Sequence, residues 1–135
     1  YYIAGVLITG SYSAAGNTAE LYLPSSGATC TLPSLPDSRA WHSVTEGGLL
    51  CGGWYTGGWY TQYSCLQWSP DSGTWEEALT LDVIRVYHVS WTPENSSGTY
   101  LMGGGDSFEE STSTTTLITP DGSQEPGFML KYFTK

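Results

Sequence analysis

Arg39-Ala40-Trp41-His42-Ser43-Val44 and Arg85-Val86-Tyr87-His88-Val89-Ser90 are two versions of one segment, and each runs on into an apolar stretch closed by glycines. These closures are Leu49-Leu50-Cys51-Gly52-Gly53 and Leu101-Met102-Gly103-Gly104-Gly105. His88 follows His42 by 46 residues, and a truncated earlier copy, Val6-Leu7-Ile8-Thr9-Gly10, precedes Gly53 by a similar interval. Turn-forming sequences keep the same beat at Pro24-Ser25-Ser26-Gly27, Pro70-Asp71-Ser72-Gly73 and Pro120-Asp121-Gly122. Self-similarity at a period of tens of residues marks an array of stacked units, each too small to bury its own apolar faces.

Composition bounds the class. The 135 residues suffice for one domain with a modest core. Charged residues make up 13% and aromatics 14%, the reverse of a disordered chain's balance. Thirteen acids against four bases give a net charge of −9, so phosphate is repelled and nucleic acid and anionic membranes are poor partners. No apolar run reaches the roughly 18–20 residues of a membrane span, and no basic-then-apolar leader heads the chain, so a mature piece or an excerpt is expected.

Short runs rich in Val, Ile, Leu, Thr, Tyr and Trp alternate with Gly/Ser/Pro/Asp clusters about every ten residues, which is an all-β pattern. Strands are predicted near 3–9, 19–24, 28–32, 41–46, 48–52, 64–69, 74–80, 87–92, 98–103, 113–119 and 127–133, four to each full period.

A strand opening near a His, a second closing in paired glycines, a variable loop, a third strand, a Ser/Pro/Asp/Gly turn and then a Trp together resemble the kelch repeat. The second period carries His42, Gly52-Gly53, Trp68 and Trp75; the third keeps His88 and Gly103-Gly104-Gly105, with Phe128 in place of a tryptophan. The first has Thr9-Gly10 for the glycine pair and Cys30 where the tryptophan would fall. The resemblance implies four-stranded antiparallel blades of a β-propeller, divided here as a partial blade 1–36, a blade 37–82 and a blade 83–135. About two and three-quarter blades make an incomplete ring, and an open arc leaves apolar flanks uncovered. An excerpt of a longer propeller, an assembly of several chains and a partial view all remain open, and the excerpt is preferred.

In such a blade the second strand climbs to the side from which the third descends. Cys51 and Cys65 therefore fall at the same end of neighbouring strands, within reach of a disulfide, and Cys30 is the odd cysteine. The alternative is three reduced, packed thiols. Asn95-Ser96-Ser97 is an N-glycosylation acceptor at an expected hairpin tip, and with the disulfide it favours an extracellular setting.

Gly52-Gly53-Trp54-Tyr55-Thr56 is repeated at once as Gly57-Gly58-Trp59-Tyr60-Thr61. The resemblance places this loop on the rim where propellers bind partners, making Trp54, Tyr55, Trp59 and Tyr60 candidate contacts for a protein or glycan. The competing reading folds these rings back over the blade. Arg39 and Arg85 are further rim candidates, able to read an acidic ligand or to bond backbone carbonyls. His42 and His88 occupy equivalent places in successive units, which suits a repeated hydrogen-bonding strut better than a shared metal or catalytic pair. Asp106, Glu109 and Glu110 read as a solvated acidic loop rather than a calcium site.

Some kelch propellers carry a copper oxidase, but its chemistry needs convergent imidazole and tyrosine ligands that two equivalent histidines do not supply. No Gly-x-Ser-x-Gly elbow occurs. The expectation is a non-catalytic interaction module without metal or cofactor, binding a protein or glycan through rim loops. The alternative is a structural protein whose chains self-associate by completing blades or sheet edges between them.

Overall fold

The computed structural model describes residues 5–13, 16–45, 47–58, 60–96, 98–106 and 110–127. Each periodic turn sequence closes a hairpin there. Gly27 N–H donates to the Leu23 carbonyl (2.8 Å), Gly73 N–H to Ser69 (2.8 Å) and Gly122 N–H to Thr119 (2.9 Å). All three glycines have φ between 66° and 85°, the left-handed region that a side chain penalises.

Around these turns the chain forms fourteen described strands: β1 (Val6–Thr9), β2 (Ala19–Leu23), β3 (Ala28–Leu32), β4 (Arg39–Ala40), β5 (Ser43–Val44), β6 (Leu49–Cys51), β7 (Trp54–Tyr55), β8 (Tyr60–Thr61), β9 (Ser64–Ser69), β10 (Thr74–Thr80), β11 (Val89–Trp91), β12 (Thr99–Met102), β13 (Thr115–Ile118) and β14 (Gln124–Pro126). They build four antiparallel sheets, ordered β1-β2-β3, β10-β9-β6-β5, β11-β12-β13-β14 and β4-β7-β8. The described residues contain no helix, so the chain is all-β, and none of them forms a helix long and apolar enough to cross a membrane. Among the described residues the sheets do not close into a ring.

The strand forecast holds through β13 to within a few residues. The expected strand at 127–133 lies, beyond Gly127, outside the described residues, and β14 at Gln124–Pro126 precedes it. Three short strands were not foreseen. The duplicated Gly-Gly-Trp-Tyr-Thr sequence is not a loose loop, because its two copies pair with each other (Trp54↔Thr61, Tyr55↔Tyr60) and the first copy pairs with Arg39–Ala40. Trp, Tyr and Thr are good strand formers, and two tandem copies offer matching edges.

Alternation along the central strands divides the core. Leu50 and Leu66 point to one face of the second sheet and join Ala19, Leu35 and Trp75, with Leu7 and Leu32 of the first sheet packed against them. Cys51 and Cys65 point to the other face and join Leu81, Leu101 and Ile118 against the third sheet. The second sheet is thus buried on both sides, whereas the first exposes Val6, Ile8 and Tyr22.

Cys51 and Cys65 are register partners on β6 and β9, with Cα atoms 4.1 Å apart, and they form a disulfide; Cys30 is a free, exposed cysteine on β3. The second glycine of each pair explains its own conservation of shape between units. A Cβ on Gly53 would strike the Ala40 carbonyl, and one on Gly104 the Val86 carbonyl, which are equivalent positions in the two repeats.

Candidate functional site

The repeated arginines and histidines form a buried lattice between units. Arg39 is fully buried. Its Nε and Nη2 donate to Asp37 Oδ1 and Oδ2, both at 2.7 Å. Its Nη1 donates to the Gly52 and Ser64 carbonyls at 3.2 and 3.1 Å, and Nη2 also donates to Ser64 Oγ at 3.0 Å. Arg85 is equally buried and donates from Nη1 to the Gly103 and Thr114 carbonyls, each at 2.9 Å. The rim-ligand reading is therefore corrected for Arg39, whose Nε, Nη1 and Nη2 all donate inward, and for Arg85 as a rim contact, because this buried side chain likewise ties strand ends together through Nη1.

His42 Nε2 lies 2.7 Å from Thr9 Oγ1, and His88 Nε2 lies 2.8 Å from Ser43 Oγ. Each ring reaches back to the preceding unit, as a strut would. Burial, then the neighbouring arginine, lowers both pKa values to about 4, with Asp37 opposing the shift at His42. Both rings are neutral at pH 7. His42 also lowers His88, so the two lie within electrostatic reach while bonding different hydroxyls.

The hairpin candidates separate. Trp54 is buried, at 8% exposure, which removes it as a contact residue; its ring covers the sheet because β7 is held against β4. Tyr55 is half-buried and packs at a tilt against Tyr60, with centroids 4.9 Å apart, and Tyr60 is exposed. Trp59 lies outside the described residues. Thr61 Oγ1 donates to the Asp106 carbonyl (2.6 Å), fastening this hairpin to the loop of the third unit. Glu109, part of the acidic cluster considered for calcium, is outside the described residues, among which no group of three or more His, Cys, Asp or Glu side chains converges. Asn95 is exposed at the tip joining β11 and β12, where Ser96 N–H donates to the Pro93 carbonyl at 3.0 Å. Its φ of 63° is one that asparagine tolerates well.

An aromatic column stands where the sequence reading did not look. Tyr12, Trp41 and Tyr87, one from each unit, stack in series with centroids 4.8 and 4.7 Å apart and interplanar angles of 26° and 30°. Tyr12 and Tyr87 are 54% and 49% exposed. Trp41 and Tyr87 have φ of 56° and 58°, unusual for bulky side chains and worth about 1–3 kcal/mol of strain each. The lattice imposes it: Arg39 and His42 are pinned on either side of Trp41, Arg85 and His88 on either side of Tyr87, and Tyr87 N–H donates to the Trp41 carbonyl at 3.0 Å. Tyr87 is exposed there, and Trp41, between the two tyrosines, is half-buried. The Tyr87 phenol has its pKa raised, by desolvation and then by Tyr12. The available signal was the aromatic between the small apolar residue and the histidine in both Arg-Ala-Trp-His and Arg-Val-Tyr-His.

No protein-family model matches the sequence, and no curated protein does. Among solved structures the chain is similar to the structure of YjhT, with a TM-score of 0.73 at 12% identity over 95% of this chain. The likeness is one of fold. It takes in 48% of that structure, so this chain spans about half its length.

Proposed function

We propose that the chain is a non-catalytic interaction module made of kelch-type β-propeller blades, and that it binds a protein through the face bearing Tyr12, Trp41 and Tyr87. The observation that carries this reading is the exposed column itself. Large aromatics with polar tips dominate protein-binding hot spots, and here Tyr12 and Tyr87 are exposed on either side of a half-buried Trp41, with Trp41 and Tyr87 held at a conformational cost. Trp41 has a neighbouring ring on each side, which suits a protein partner better than a sugar, whose C–H face needs an open ring. The repeated units, and the likeness to a structure twice as long, support an arc of blades from a larger ring. The Cys51–Cys65 disulfide supports an extracellular setting with Asn95 as a glycan acceptor.

Non-catalytic use fits the Ser43–His88 pair, because both side chains are buried. The test is a paired measurement on the Trp41→Ala/Tyr87→Ala double variant. Partner capture should be lost while β-sheet circular dichroism is kept, and binding to a glycan array instead of proteins would replace the protein by a sugar.

Self-association is a second reading, supported by the exposed Val6 and Ile8 on β1, which has no strand on its outer side among the described residues. Light scattering at several concentrations checks it, since assembly requires mass to grow with concentration.

A further inference from the structure

The second and third units bury the same arginine but neutralise it differently. Arg39 has the Asp37 carboxylate across Nε and Nη2. Forty-six residues on, Val83 stands where Asp37 would be. The Arg85 Nη2 hydrogens go instead to Thr114 Oγ1 and Thr116 Oγ1, both at 3.0 Å. Two hydroxyls satisfy those hydrogens without supplying a counter-charge. Nε of Arg85 is buried and has no hydrogen-bond partner, and among the described residues no carboxylate forms an ion pair with this guanidinium. A buried cation left without an anion is strongly unfavourable.

A cavity of about 200 Å³ opens beside it, lined by Asp82, Val83, Arg85, Thr116, Glu125 and Pro126 among others. Its walls carry both signs of charge. A simple anion drawn to Arg85 meets repulsion from Asp82 and Glu125, whereas a molecule with a carboxylate at one end and an ammonium group near it satisfies both.

We propose that this cavity binds a small free α-amino acid, its carboxylate accepting from the unpartnered Arg85 Nε–H and supplying the counter-charge that Asp37 gives Arg39, and its ammonium group facing Asp82 and Glu125. The site is separate from the aromatic column and stands whether or not that column binds a protein.

The test titrates the intact chain with L-alanine, propionate and ethylamine while following the Arg85 Nε–H resonance by ¹⁵N NMR. L-alanine should move that resonance and bind at least about tenfold more tightly than either single-charge probe. Val83→Asp restores the repeat's own carboxylate and should weaken L-alanine binding at least about tenfold. A second variant, Asp82→Asn/Glu125→Gln, alters only exposed side chains and should bring L-alanine and propionate to within about threefold of each other. The proposal is overturned if no probe shifts the resonance, if propionate binds as tightly as L-alanine to the unaltered chain, or if Val83→Asp binds L-alanine undiminished.

Discussion

Ser43 Oγ and His88 Nε2 lie 2.8 Å apart across 45 residues of sequence, fastening edge strand β5 of one unit to the opening of the next. Thr9 and His42 make the same fastening one unit earlier at 2.7 Å. Replacing Ser43 with Ala leaves the buried imidazole short of a partner, and urea unfolding should register a loss of about 1–2 kcal/mol. Thr9→Val should cost less, because that pair is only part-buried.

The same histidines make stability depend on pH. Folding lowers each pKa from 6.5 to about 4. Their contribution is therefore whole above pH 6.5 and is lost as pH falls from there towards 4, because the unfolded chain takes up protons that the folded one refuses. Thermal unfolding between pH 7 and pH 4 should show a falling melting temperature, and His88→Gln should flatten that fall. Asp121 titrates in a separate, lower window: bonds from Ser123 and Thr119 lower its pKa to about 2, so its contribution is present above about pH 4 and lost only towards pH 2.

The repeat was legible because its markers are backbone constraints. Paired glycines, turn sequences and the Arg/His spacing mark places where only certain residues fit, and they located the strands and the Cys51–Cys65 pair. Exposure was not legible in the same way. Whether Trp54 faces solvent depends on β7 pairing with β4, and whether Trp41 meets Tyr12 depends on how neighbouring units are placed, neither of which local sequence encodes. Arg39 and Arg85 read alike as markers of the repeat, and although Asp37 and Val83 differ two residues ahead of them, only the fold shows that Asp37 reaches its guanidinium and that, among the described residues, no carboxylate pairs with Arg85.

The disulfide closes a loop with a sequence separation of 14 and belongs to the core between the second and third sheets. Cys51→Ser/Cys65→Ser should lower stability by about 3 kcal/mol, partly through the freed unfolded chain and partly through two hydroxyls in an apolar cluster. Intact mass before and after reduction should differ by the two hydrogens of one bridge.

Asp37 is the counter-charge of a fully buried guanidinium, so Asp37→Asn should cost about 3 kcal/mol. Val83→Asp is the converse change and should raise the melting temperature, since it brings the missing anion to Arg85. Differential scanning calorimetry on the two variants gives both signs in one comparison.

Trp41 is half-buried between two exposed tyrosines and Trp54 is buried, and removing each ring should give opposite phenotypes. Trp54 is buried on β7, so Trp54→Ala should remove about 3–5 kcal/mol and weaken binding only through unfolding. Trp41 occupies the middle of the exposed column at a strained φ, and Trp41→Gly relieves that strain while deleting the ring. Trp41→Gly should therefore keep most of its stability and lose partner binding. Parallel melting curves and binding isotherms on the two variants decide it: a large loss of stability at Trp41 would make the column part of the core, and the strain would then serve packing instead of recognition.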